Sequence, residues 1–188
     1  MGPVTTLTEL GAAHFTAAID KMLAVYTAAM RPAPSQLAGR RSIMARHATY
    51  AGFRALGVVD GTGELVAFNY GFHGEPGQWW HDMVSYALSV SAGTSQASQW
   101  LSDSFEVAEL HVTPAYQGQG IGRNLLLRLT ADRDERNAVL STQDADSPAR
   151  HLYRSLGFID LLTSFSFSGG DPPYAVMGAA LPLRDTRS

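Results

Sequence analysis

The chain has 188 residues, 45% hydrophobic and 16% charged, enough apolar material for one sizeable core, and is expected to form a single domain over 1–188. A formal net charge of −3 without any lysine or arginine run argues against nucleic acid or an anionic membrane as partner. With no cysteine, disulfides, thiolate zinc sites and a cysteine nucleophile are excluded. No apolar run has the length of a membrane span and no secretory pattern opens the chain, so a cytoplasmic location is expected.

In chain order, residues 4–7 read as an edge strand. Phe15, Ala18, Ile19, Met22, Leu23, Val25, Tyr26 and Met30 recur at helical spacing, predicting a helix over 11–30. Arg31-Pro32-Ala33-Pro34 stops it, and Ser35 can cap a second helix reaching residue 48. Residues 53–59 and 65–72 form a hairpin across the Asp60-Gly61-Thr62-Gly63 turn. Residues 74–104 then form an insertion before the next strand. Trp80, Met83, Val84, Ala87 and Leu88 give it a helical stripe that Gly93 ends, and it holds Trp79, Trp80 and Trp100, all the tryptophans of the chain. These rings pack the insertion onto a sheet, or form a pocket wall or a subunit contact, since large apolar groups with one polar handle suit each role.

A strand over 105–112 leads through Thr113-Pro114-Ala115-Tyr116 into Gln117, Gly118, Gln119, Gly120, Ile121, Gly122 and Arg123, and then a helix over 124–130. A glycine-spaced turn opening a helix leaves backbone N–H groups unpaired where the macrodipole favours negative charge. It is an anion site. The glycine intervals do not fit a dinucleotide fingerprint, and no lysine follows for a nucleotide P-loop. Residues 139–142 read as a short strand. A helix over 149–156 follows, with Asp146 or Ser147 as cap, Pro148 at its first position and Gly157 as a left-handed stop. Residues 159–167 and 174–181 read as two last strands joined by a surface loop over 168–173, with a frayed end over 184–188.

Gln117, Gly120 and Gly122, followed by Ala149, Leu152, Tyr153, Gly157 and Phe158, resemble the two cofactor motifs of the GCN5-related N-acetyltransferase (GNAT) superfamily, over about residues 105–167. The resemblance implies an α/β (α+β) fold: a mixed, mostly antiparallel twisted sheet of six to seven strands flanked by helices, with the helical insertion between the third and fourth strands. It implies an acyl-CoA-dependent N-acetyltransferase passing acetyl directly from acetyl-CoA to a primary amine of a small molecule or peptide. The alternative is a non-catalytic acyl-CoA sensor of the same fold.

By that resemblance, the backbone N–H groups of Gly118 to Arg123 hold the pyrophosphate, and Leu110, His111 and Val112 pair with the pantetheine arm. Tyr153 gives the leaving thiolate its proton. Asp146 stands where many members have an asparagine that touches pantetheine; an ionised Asp cannot donate. Glu109 is the first choice of general base and Glu106 the second. Glu109 and His111 share a strand face but lack a third partner at metal-ligand spacing, so no metal is expected. His73, His81, the Glu75-Pro76-Gly77 turn and Asp171 are further candidates for the acceptor side, and a homodimer is compatible with the reading.

Overall fold

The structure is a computed structural model describing residues 4–167 and 172–184. Its strands are β1 (Thr5–Leu10), β2 (Arg54–Asp60), β3 (Leu65–His73), β4 (Ser104–Val112), β5 (Asn137–Gln143), β6 (Ile159–Phe165) and β7 (Tyr174–Ala180). They form one mixed seven-stranded sheet of order β1-β2-β3-β4-β5-β7-β6. β1–β2, β2–β3, β5–β7 and β6–β7 pair antiparallel, whereas β4–β5 is parallel and confined to Ser104–Glu106. The expected fold class holds. The chain divides into two compact units, Met1–Phe72 with Val107–Leu129, and His73–Glu106 with Thr130–Ser188.

In the first unit, one long helix was expected over 11–30, but the chain forms α1 (Ala12–Ala17) and α2 (Ile19–Met30), interrupted at Ala18 with φ −95° and ψ 4°. The apolar spacing runs through this break, so periodicity alone could not locate it. The second expected helix is likewise α3 (Pro34–Leu37) and α4 (Arg40–His47), separated by Gly39 at φ 78°. Ser35 is not its cap: α3 starts after Ala33, whose N–H donates to Gln36 Oε1 at 3.0 Å. Phe68, Tyr70 and Phe72 alternate onto one face of β3 and meet Phe15, Ile19, Met22 and Met44, all nearly excluded from solvent. Leu125, Leu126 and Leu129 are the buried stripe of α7 (Ile121–Thr130).

In the second unit, the insertion forms α5 (Trp79–Ala92) and α6 (Thr94–Leu101), with Gly93 at φ 93° ending the first. Val84 and Leu101 pack with Val139 of β5 and Val176 of β7, flanked by Trp80 and Trp100. Trp80 Nε1 donates to Ser141 Oγ at 3.1 Å, and Asn137 Nδ2 donates to the Gln99 carbonyl at 2.9 Å. Trp100 lies so close to Gly178 that a Cβ there would sit 2.8 Å from the indole. Two tryptophans therefore fasten the insertion to the sheet. The third, Trp79, is 61% exposed. The helix α8 (Pro148–Ser155) is capped by Ser147, whose Oγ accepts from Arg150 N–H at 3.3 Å, so of the two expected caps Asp146 is not the one used. Residues 168–171 of the expected loop and 185–188 of the expected frayed end lie outside the described residues. No helix among the described residues is long and apolar enough to cross a membrane.

Candidate active site

The glycine turn lies in the first unit. After β4 the Thr113 N–H donates to the Val66 carbonyl at 2.9 Å, and a single 3-10 turn, Pro114–Tyr116, redirects the chain. Tyr116 Oη donates to Asp60 Oδ2 at 3.0 Å, tying this turn to the β2–β3 hairpin. Asp60 also accepts from Thr62 N–H at 2.8 Å and Thr62 Oγ1 at 2.6 Å, and these bonds, led by the hydroxyl, bring its pKa down to about 2. Gln117 Nε2 donates to the Val112 carbonyl at 2.9 Å and Gln119 Nε2 to the Ala115 carbonyl at 3.1 Å, so both amides brace the loop from within.

Gly118 and Gly120 sit at φ 74° and 81°, which side chains rarely tolerate, and a Cβ on either would meet nothing within 4 Å. The space over the loop is open. Among the described residues, none of the N–H groups from Gly118 to Gly122 donates to a protein acceptor, whereas Asn124 N–H donates to the Gly120 carbonyl at 3.0 Å. This set of unpaired donors at a helix start fits a pyrophosphate. Arg123 is half-buried in the first turn.

The preceding strand carries Glu109, Leu110, His111 and Val112, all in the first unit and half-buried. Glu109 is fully engaged. One carboxylate oxygen takes Arg40 Nη1 and the other takes His111 Nε2. Burial pushes its carboxyl up, but the His111 hydrogen bond and the charges of His111, Arg40 and His47 outweigh this and hold it below the ordinary value. Arg40 lies over the Tyr26 ring at 3.9 Å and donates from Nη2 to Tyr26 Oη at 3.0 Å. The His111 ring meets Tyr26 edge-on at 5.0 Å and lies 5.6 Å from Phe68, while its Nδ1 makes no protein hydrogen bond among the described residues. His47 completes the group, with Nδ1 3.1 Å from Tyr70 Oη. Burial is the main cause that brings its pKa to about 4, with Glu109 opposing and Arg46 and Arg40 assisting.

Sequence reasoning named Glu109 and His111 but missed Arg40, Tyr26 and His47 as their partners. Tyr26 was visible only as part of an apolar helix stripe, and nothing local marks Arg40, which is 69 residues from Glu109.

The second unit holds Tyr153 and Asp146. Tyr153 is 8% exposed on α8, its ring 5.8 Å from Phe158. Asp146 is exposed and accepts from His151 Nε2 at 2.6 Å. Glu106, the second choice of base, is buried and partnered here. His81 is buried, with Nε2 3.3 Å from the Leu101 carbonyl, and His73 donates from Nδ1 to Glu135 Oε1 at 3.1 Å. Glu75 is exposed beside the α5 start, and Asp171 lies outside the described residues.

Residues 80–160 match the family model of an acetyltransferase (GNAT) domain, a span that starts inside the insertion and takes in both motifs. The match takes in both motifs, so residues 80–160 are similar to the acetyltransferase (GNAT) domain family. The chain is 40% identical over 123 residues to a GCN5-like protein acetyltransferase of Mycobacterium tuberculosis, covering 63% of this chain and 60% of that protein, so the chain spans only part of this relative's length. The ribosomal-protein-S18-alanine N-acetyltransferase of Escherichia coli shares the fold at TM-score 0.62 and 15% identity, over 98% of this chain and 99% of that one. The PaiA N-acetyltransferase of Thermoplasma acidophilum, solved in complex with coenzyme A, does so at 0.60 and 11%, over 94% and 99%.

Proposed function

We propose that the chain is an acetyl-CoA-dependent N-acetyltransferase acting on a primary amine of a small molecule or peptide. The observation that carries this is the row of unpaired N–H donors from Gly118 to Gly122 at the start of α7. In this reading they take the pyrophosphate, Arg123 adds charge, and the backbone of Leu110, His111 and Val112 pairs with the pantetheine arm as an added strand would. Asp146 lies on the cofactor side of α8 in the same reading. The amine attacks the thioester carbonyl, its nitrogen–carbon bond forms, and the carbon–sulfur bond breaks.

Glu109, ionised and held by Arg40, is a weak direct acceptor of the amine proton. It works with His111, whose Nδ1 takes that proton while Glu109 stabilises the resulting imidazolium. Tyr153 gives the departing thiolate its proton. In this reading residues 1–188 act as one domain, in the cytoplasm.

The mycobacterial relative is named a protein acetyltransferase, so lysine-bearing peptides come first in an acceptor panel. Calorimetry with coenzyme A and thiol release from acetyl-CoA test the reading. Micromolar binding and amine-dependent thiol release are expected. Gly120→Leu, forcing a bulky side chain to φ 81°, is expected to weaken binding at least ~100-fold. Unchanged binding by that variant would remove the loop assignment, and binding without thiol release across the panel would favour the sensor.

A further inference from the structure

On α5, Asp82 stands one helical turn after Trp79 and one turn before Tyr86, so an acid lies between two aromatic residues along one face. All three are exposed, Trp79 to 61% and Tyr86 to 74%. From Trp79 to Tyr86 this face covers about 10 Å of helix. The Trp79 ring rests 5.5 Å from Phe167, which in turn meets Phe165 at 4.7 Å and Tyr174 at 5.3 Å. It is therefore ordered before any ligand arrives, which spares the entropy of fixing it. Gly77 N–H donates to both Asp82 oxygens, at 3.0 and 3.1 Å, and with His81 it holds that carboxyl below the ordinary value.

Charge selects the occupant. Residues 73–106 contain Glu75, Asp82, Asp103 and Glu106 but no lysine or arginine, and residues 155–183 also lack both bases. Among the described residues, no lysine or arginine reaches Asp82; its ion-pair partner is His81, at 3.4 Å. The carboxylate and the rings thus face solvent without the cation that both attract. A second copy of this face would bring Asp82 toward its own equivalent, and nucleic acid or an anionic bilayer would meet a carboxylate where a base is needed. A free small molecule would find no walls here, whereas sites for such ligands bury most of the ligand. A basic side chain carried by a peptide suits an open face, since its stem lies along the rings and its charged head stays in water.

The face also lies at the end of the sheet that leads to Tyr153. Tyr174 pairs with Phe165 on one side and with Gln143, the last residue of β5, on the other, and from there the chain enters α8. We propose that Trp79, Asp82 and Tyr86 bind an arginine or lysine side chain of the acceptor close to the amine that is acetylated, which makes the acceptor a basic peptide. This rests on the acetyltransferase reading above.

Three peptide series test it, each with one lysine and with arginine, norleucine or glutamate placed one to four residues away. Calorimetry in the presence of coenzyme A reads binding, and thiol release from acetyl-CoA reads turnover. The best arginine peptide is expected to bind ~10-fold more tightly than its norleucine counterpart, with glutamate weakest and kcat/KM in the same order. Trp79→Ala, Asp82→Asn and Tyr86→Ala are each expected to lower the arginine preference about threefold. Thermal unfolding and coenzyme A calorimetry verify that the variants fold, and Tyr86, the most exposed of the three, gives the variant least able to disturb folding. Thiol release with equal binding and equal kcat/KM across the three series overturns the proposal and keeps the acetyltransferase reading. An arginine preference indifferent to all three substitutions overturns it as well. Arginine-selective binding that the substitutions reduce, without thiol release from any peptide, sustains the cation surface and removes the acetyltransferase reading.

Discussion

At the scale of single residues, Tyr153 and the carboxylate that supports His111 differ in how they are held. Glu109 is fixed from two sides by Arg40 and His111, whereas Tyr153 is a buried helix residue against Phe158. If Tyr153 protonates the thiolate, Tyr153→Phe should lower kcat by ~100-fold, within the usual range for a general acid, and leave coenzyme A affinity within about twofold. Steady-state kinetics with calorimetry read both; an unchanged kcat removes it from the mechanism. His47 makes the folded state sensitive to acid. Its folded pKa of about 4 lies below the ordinary 6.5, so between those values the unfolded chain binds more protons than the folded one. Its contribution is complete above pH 6.5 and is lost as pH falls toward 4. Allowing for its partial exposure this is ~2 kcal/mol, and His47→Gln should flatten urea-measured stability across that window. Tyr153 was named from sequence because its motif is local. Arg40 and His47 could not, because only the packing of α4 brings them to β4.

At the scale of elements, legibility followed how local the signal was. Pro148 and Gly157 punctuate α8 within its own segment, and that helix lies within one residue of its expected bounds. The interruption at Ala18 carries no glycine or proline and was invisible, whereas Gly39 divided a helix that was read as continuous because the pattern of apolar residues suggested no stop. The insertion was legible as helix, but its attachment was not, since Trp80 reaches Ser141 across 61 residues. The contact of Trp100 with Gly178 gives a sharp test. Gly178→Ala would place a methyl 2.8 Å from the indole and 2.9 Å from Leu161, and overpacking of this kind costs ~1–3 kcal/mol. The expected fall in Tm is roughly 2–12 °C for a chain of this size, by calorimetry. No change would mean that Trp100 repacks freely and does not anchor α6.

At the scale of the whole molecule, the fold class was legible through two motifs of neighbouring residues, while the placing of β7 between β5 and β6 and the division into two units were not. Each unit is assembled from two stretches of chain, with junctions after Phe72, Glu106 and Leu129. Neither is therefore a contiguous fragment. A truncation ending at residue 106 should lack a cooperative thermal transition, since it omits Leu125, Leu126 and Leu129 of α7 and most of β4. A sharp transition in that fragment would show that residues 4–72 suffice as a core. The same interleaving orders events during synthesis. The helices α5 and α6 leave the ribosome well before β5 and β7, which hold Val139 and Val176, so a nascent chain carries Trp80 and Trp100 uncovered until its last strand emerges. Translation speed over residues 103–180, rather than the stability of the finished protein, is then the quantity that governs how much of the chain escapes aggregation.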